Sequence, residues 1–175
     1  VSPTDVLREE HEIILQALDV LEGAAERSAA GHAVAAAWWA AFVAWLRAFA
    51  DRSHHAKEEA ALFPAMVKAG VPSEGPIAVM LEEHAEGRRL VAAIESSGAA
   101  ARIRACRAYV ALLRDHIGKE NGIVFPLAEA VLDERAVEGL RREFDAVEAE
   151  QDPAATLAGA VAALGPLAAT LEAAG

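Results

Sequence analysis

Apolar residues recur at steps of three and four along nearly the whole chain, and β-branched runs with period-two alternation are scarce, so the pattern predicts an all-helical protein. Ser2, Pro3 and Asp5 supply an N-cap, a first-turn proline and an acid at the third position, starting a first helix that runs to about Ser28 and closes at Gly31. A second helix is expected from about Ala33 to Lys68, ending around Gly70-Val71-Pro72, with Pro64 kinking or tightening its last turns. A third starts between Ser73 and Pro76 and ends at Ser96-Ser97-Gly98. A fourth runs from about Ala100 to Val131, with Pro126 placed like Pro64. Beyond Leu132 the periodicity continues with Val137, Leu140, Phe144 and Val147, then with Leu157, Val161, Leu164 and Leu171, which predicts two more helices. The expected organisation is an up-down four-helix bundle over residues 1–131, with a helical extension over 132–175 that packs on the bundle or on a partner subunit.

The apolar seams are not wholly apolar. The first helix reads Leu7, His11, Ile14, Leu18, Leu21, and the third reads Ile77, Met80, His84, Gly87, Val91. The second carries His54 and Glu58 among Val43, Leu46, Ala50 and Leu62. The fourth carries His116 and Glu120 among Tyr109, Leu113 and Ile123. In both HxxxE pairs the side chains leave one face of a helical turn, and each pair precedes a similar ending, Leu62-Phe63-Pro64 or Val124-Phe125-Pro126. A single seam histidine is more often a hydrogen-bonded core residue than a ligand, and a single HxxxE pair more often serves an exposed helix face. Six such groups converging on one core are different, because an unpaired buried carboxylate costs several kcal/mol and a cation is the common remedy. Imidazoles with carboxylates suit iron, manganese or zinc, iron being the first expectation, and antiparallel four-helix bundles build two-metal sites from such residues.

His55 lies about 100° from His54 on an α-helix, on a face shared with Asp51, Arg52 and Glu59, so it is expected at the margin of the site or in solvent, with a fifth imidazole ligand as the alternative. Glu59 is read the same way. Tyr109 points its hydroxyl toward the metal pocket or packs in the core. Glu82 and Glu83 orient an imidazole or are solvated, solvation being the expectation, and His32 has no assigned role. Gly87 either leaves room for access to the site or allows close helix packing. A second stripe on helix two, Trp38, Phe42, Trp45 and Phe49, is too aromatic to leave in water and needs a cover, from the C-terminal helices or from a homodimer partner.

Composition narrows the function. The net charge of −11 argues against a nucleic-acid surface. Cys106 is the single cysteine, which excludes an intramolecular disulfide and fits a reducing compartment, so cytoplasm is the expectation. The apolar stretch from Ala33 to Ala50 contains Arg47 and is flanked by His32 and Asp51, so it reads as a buried helix rather than a membrane span, and no signal-peptide pattern is seen. His11-Glu12 begins like a zinc-protease HExxH but lacks the second histidine, and there is no nucleophile elbow, Walker loop or dinucleotide fingerprint.

The run from His54 to Pro64 resembles the HHE cation-binding signature of hemerythrin-like proteins. His116 to Pro126 looks like that family's closing motif, and Gly75 to Met80 with Glu83-His84 is similar to its third-helix segment. The resemblance covers about residues 5 to 130. It implies that His11, His54, Glu58, His84, His116 and Glu120 bind two non-haem iron ions with an oxo or hydroxo bridge, the glutamates bridging, zinc or manganese being alternatives. Oxygen-carrying hemerythrins use five histidines and two carboxylates with a longer spacing in the last motif, so four clear histidines put reversible oxygen carriage in question. The implied partner is oxygen, hydrogen peroxide or nitric oxide, with peroxide decomposition or another di-iron oxidoreductase activity as a possible turnover. An iron or oxygen sensor that signals through a partner protein, docking on the aromatic stripe, is the alternative.

Overall fold

The structure is a computed structural model in which residues 1–173 are described, and among these the secondary structure is helical throughout, without strands. Helix α1 (Pro3–Ala29) starts at a capping box in which Ser2 Oγ accepts from the Asp5 amide and the Asp5 carboxylate accepts from the Ser2 amide. Gly31 then takes a positive φ of 86°, which glycine adopts without steric cost, to turn the chain. Helix α2 (Ala36–Trp45) begins three residues later than the sequence pattern suggests. It continues as wider π-helical turns over Leu46–His55 and Glu58–Leu62 into α3 (Phe63–Lys68). Helix α4 (Pro76–Ser96) is followed by α5 (Ala99–Lys119), which passes through a π-helical turn at Glu120–Val124 into α6 (Phe125–Val131).

These four rods form the up-down bundle, and cross-helix contacts fix their directions. Residues 4, 11, 22 and 26 of α1 meet 129, 121, 114 and 107 on the α5–α6 rod, an antiparallel register. Arg47 with Glu95 and Asp51 with Arg88 set the α2 rod antiparallel to α4.

The prolines widen the helix rather than tighten it. Pro64 and Pro126 have no N–H for the carbonyl four residues back, and just ahead of each the turn expands so that the Phe63 and Phe125 amides reach five residues back, to the Glu58 and Glu120 carbonyls.

Beyond the bundle, α7 (Glu134–Ala149) is capped by Asp133 and lies on α1 and the Glu58–Leu62 turn, burying Leu140 and Phe144. A short 3-10 turn (Pro153–Ala155) leads to α8 (Leu157–Ala173), which lies on α1 and α2. Helix α8 covers the aromatic stripe: the Trp38 indole N–H donates to the Leu167 carbonyl at 2.9 Å and that of Trp45 to the Ala160 carbonyl at 3.0 Å. Trp38, Phe42, Trp45 and Phe49 are thereby all buried within the one chain, and no second subunit is required to remove them from water. Among the described residues no helix is long and apolar enough to cross a membrane.

The apolar core falls into two clusters. One holds the tryptophans with Ile14, Leu18, Leu113 and Leu164, and the other holds Leu7, Leu62, Phe63, Met80, Phe125 and Phe144. Removing residues 153–175 should uncover Trp38 and Trp45, red-shifting tryptophan emission and raising binding of a hydrophobic dye; an unshifted spectrum would mean that α8 does not cover the stripe.

Candidate metal centre

The imidazoles and carboxylates occupy a buried layer of the bundle. His11 on α1, His54, His55 and Glu58 on the second rod, His84 on α4, and His116 and Glu120 on the fourth rod are each at most 4 % exposed. Their donor atoms fall into two groups with mutual spacings within 4.8 Å, His55–Glu58–His84–His116 and His11–His54–Glu58–Glu120. Glu58 places Oε1 3.5 Å from His54 Nε2 and Oε2 3.4 Å from His84 Nε2. Glu120 places Oε2 3.1 Å from His11 Nε2 and Oε1 3.2 Å from His116 Nε2. Each carboxylate therefore turns one oxygen to each group. The six sequence-predicted residues are brought together, and both HxxxE pairs keep a shared face although π turns interrupt their helices.

His55 differs from expectation: it is buried, and its ring stacks on His84 with centroids 3.9 Å apart. It stands at the end of the Leu46–His55 π turns, where more residues per turn make successive side chains diverge less than on an α-helix, so His54 and His55 both face inward. Five imidazoles, not four, thus face the two carboxylates. His32 is exposed, as is Glu82.

Around this layer runs a set of partners that sequence reasoning mostly missed. His54 Nδ1 is 2.9 Å from Glu10, His84 Nδ1 2.8 Å from Glu59, His116 Nδ1 2.9 Å from Glu83 and His11 Nδ1 2.9 Å from Asn121 Oδ1. Each partner is the sequence neighbour of one candidate ligand yet holds the imidazole of another helix, so the contacts pass from helix to helix around the bundle. Cations anchor the three acids: Lys57 on Glu10, Arg88 on Glu59 and Lys119 on Glu83. Asp51 lies 3.8 Å from His55 Nδ1, beyond hydrogen-bond range, and its carboxyl is held at about 2: burial would raise it, but the nearby His55 imidazole and the hydrogen-bonded Arg88 guanidinium prevail. The signal in the sequence is a polar residue beside each ligand, but which imidazole it serves depends on the packing of the next helix.

An acceptor oxygen at Nδ1 fixes the tautomer with the proton there and turns the Nε2 lone pair inward, the arrangement of metal-binding histidines. His84 Nε2 and His116 Nε2 then face each other at 3.0 Å. Both oxygens of Glu58 and Glu120, and His11 Nε2, are buried without a hydrogen-bond partner. Such groups fit cations lying between them and fit poorly with anything else. Burial holds the His54 and His55 imidazoles well below their ordinary value, helped by the neighbouring His11 and His84, so both stay neutral donors. Burial, then the charge of Glu120, pushes Glu58 well up. Glu120 is held well down because contacts from His11 and His116 outweigh its burial.

A pocket of about 280 Å³ adjoins the site on the His55 side, lined by Asp51, Gly87, Arg88, Val91 and Tyr109 among others. A Cβ at Gly87 would meet Tyr109 and Leu113 at ordinary contact distances of 3.6 and 3.7 Å, so close helix packing does not require glycine there. Tyr109 is buried beside this space, and burial raises its phenol above the usual range. Cys106 is buried in the apolar cluster, its thiol pushed up to about 12 by burial, and so stays protonated at neutral pH.

Residues 2–128 match the hemerythrin HHE cation-binding domain, and the chain belongs to that family. It is also 38% identical over 92 residues to the iron-sulfur cluster repair protein YtfE of Escherichia coli O139:H28, and equally to those of Escherichia coli K12 strain DH10B and Shigella boydii serotype 18. The similarity spans 45% of this chain and 41% of each relative, so the chain matches less than half of their length. No solved structure matches the chain.

In metal-free protein the contribution of His54 and His55 to stability should fall as pH falls from about 6.5 to 5. The depressed His54 and His55 stay neutral when folded but take up protons when unfolded below their ordinary 6.5, so their contribution is lost on acidification. The raised Glu58, Glu10 and His116 act oppositely, binding their protons in the folded state, so the share of the two imidazoles is read as the difference between the parent and a His54→Gln/His55→Gln variant. Thermal melts of parent and variant across this range check the sign; a parent-minus-variant difference that stays flat or grows on acidification would contradict the neutral-imidazole assignment.

Proposed function

We propose that the chain is a non-haem di-iron protein whose iron pair binds or reacts with a small ligand, namely oxygen, hydrogen peroxide or nitric oxide. The observation that carries this reading is that Glu58 and Glu120 each direct one oxygen to each of two histidine groups, as bridging carboxylates do. His55, His84 and His116 would hold one iron and His11 and His54 the other. Bound there, the pair supplies redox chemistry and ligand coordination. The chain's own residues do the rest. Glu10, Glu59, Glu83 and Asn121 orient the imidazoles, the flanking apolar clusters exclude bulk water, and the pocket beside His55 gives a molecule of a few atoms a way in. The group with two imidazoles has fewer protein donors than the group with three, leaving more room there for an exogenous ligand.

Purified protein should carry about two iron per chain, with a near-ultraviolet absorption that shifts on adding azide or peroxide. Glu58→Ala should lose most of the iron while the metal-free variant melts no lower, or higher, than the metal-free parent, because a buried carboxylate is removed. Iron retained at the parental level would defeat the bridging assignment. Release of oxygen from hydrogen peroxide by the iron-loaded protein tests for turnover.

The similarity to proteins named for iron–sulfur cluster repair supports a second reading, in which the iron centre serves that repair. Iron-loaded protein should then restore the cluster absorbance of a nitric-oxide-damaged iron–sulfur protein, and the Glu58→Ala variant should not; equal recovery with both would remove this reading. The partner-signalling alternative loses its proposed docking face, since α8 lies over Trp38 and Trp45.

A further inference from the structure

The three acids that orient imidazoles are anchored unequally. Arg88, which holds Glu59, and Lys119, which holds Glu83, are 42% and 33% exposed, so water completes the solvation of their charges. Lys57, which holds Glu10, is 0% exposed. A buried ammonium has three protons to place, and one carboxylate leaves it under-compensated. The second carboxylate is Glu148, whose Oε1 lies 2.6 Å from Lys57 Nζ. It sits in the last turn of α7, outside the residues 2–128 that match the family and 91 positions from Lys57 in sequence.

We propose that Glu148 is a positioning residue for the metal site, acting through Lys57 and Glu10 on the His54 imidazole. The contacts are continuous. Glu148 holds the Lys57 ammonium, Lys57 holds Glu10 Oε1, and Glu10 Oε2 takes His54 Nδ1 at 2.9 Å, which aims His54 Nε2 at Glu58. Helix α7 is itself fixed, because Leu140 and Phe144 are buried in the same apolar cluster as Leu7 and Leu62. The extension is thus a strut of the site and not only a cover. Without Glu148, Lys57 keeps a single anionic partner and turns toward water, drawing Glu10 off the imidazole. The role rests on the metal-binding reading above.

The test uses the full chain with iron bound and a strong chelator in excess. Glu148→Ala should release iron about three- to tenfold faster, at or below the range for removing a residue that touches a metal-bound histidine directly. Asp145→Ala, an exposed acid on the same helix, should leave the rate unchanged. In a Lys57→Met background, Glu148→Ala should add nothing, because the linking ammonium is gone. Glu148→Gln should recover part of the loss, as its amide oxygen still accepts from Lys57. In metal-free protein the His54 Nδ1–H proton resonance should broaden or shift in Glu148→Ala and remain in Asp145→Ala. An unchanged release rate in Glu148→Ala, an equal effect of Asp145→Ala, or a full effect in the Lys57→Met background would each overturn the proposal. If the parent chain holds no iron, the metal-binding reading fails by itself, and the His54 resonance alone then decides the role of Glu148: movement supports the linkage and an unmoved signal rejects it.

Discussion

Two carboxylates and five imidazoles share a dry layer between two apolar clusters, and everything else in the fold is arranged around making that layer tolerable. Water does not solvate Glu58 or Glu120, and no protein donor satisfies their oxygens. Burial keeps the His54 and His55 imidazoles beside them neutral, and acceptors on the far ring nitrogens turn the other nitrogen of His54 and of His84 inward. A layer built this way is incomplete as a hydrophobic core but offers the donors a cation needs, in keeping with membership of a cation-binding family.

Much of this was legible in the sequence because helix periodicity and ligand spacing share one geometry. His11, His54, Glu58, His84, His116 and Glu120 stand out as polar breaks in otherwise apolar seams, and a seam fixes which way a side chain faces. For His55 the angular step of an ideal α-helix favours the margin of the site over a fifth ligand, and the structure favours the latter position. The π-helical stretch that ends at His55 changes the angular step between neighbours, and its presence depends on how the rod packs rather than on any local residue pattern. Pro64 and Pro126 marked the disturbance correctly but not its sense, since a missing N–H is compatible with either a tighter or a wider turn.

The partners of the imidazoles were harder to read for a different reason. Glu10, Glu59, Glu83 and Asn121 are ordinary polar residues at the edges of amphipathic helices, where solvation is the usual outcome. Their roles exist only across helix interfaces. Glu83 serves His116 and not its neighbour His84, and Glu10 serves His54 and not His11. Lys57 is more extreme: one lysine in a polar run, it is wholly buried because carboxylates from the first and seventh helices converge on it. The sequence likewise permits an extension or a second copy as the cover for the aromatic stripe, and α8 occupies it.

The ring of contacts in which each helix steadies its neighbour's imidazole has a consequence for transplantation. A helix lifted from this protein into another scaffold would bring donor atoms but leave behind the oxygen that aims them, because that oxygen belongs to the adjoining helix of the circle. The smallest portable unit is therefore the closed circuit of four rods together with α7, which brings Glu148 to Lys57. Grafting succeeds or fails on whether all four arrive with their mutual rotation intact, much as a barrel hoop holds only when every stave is present.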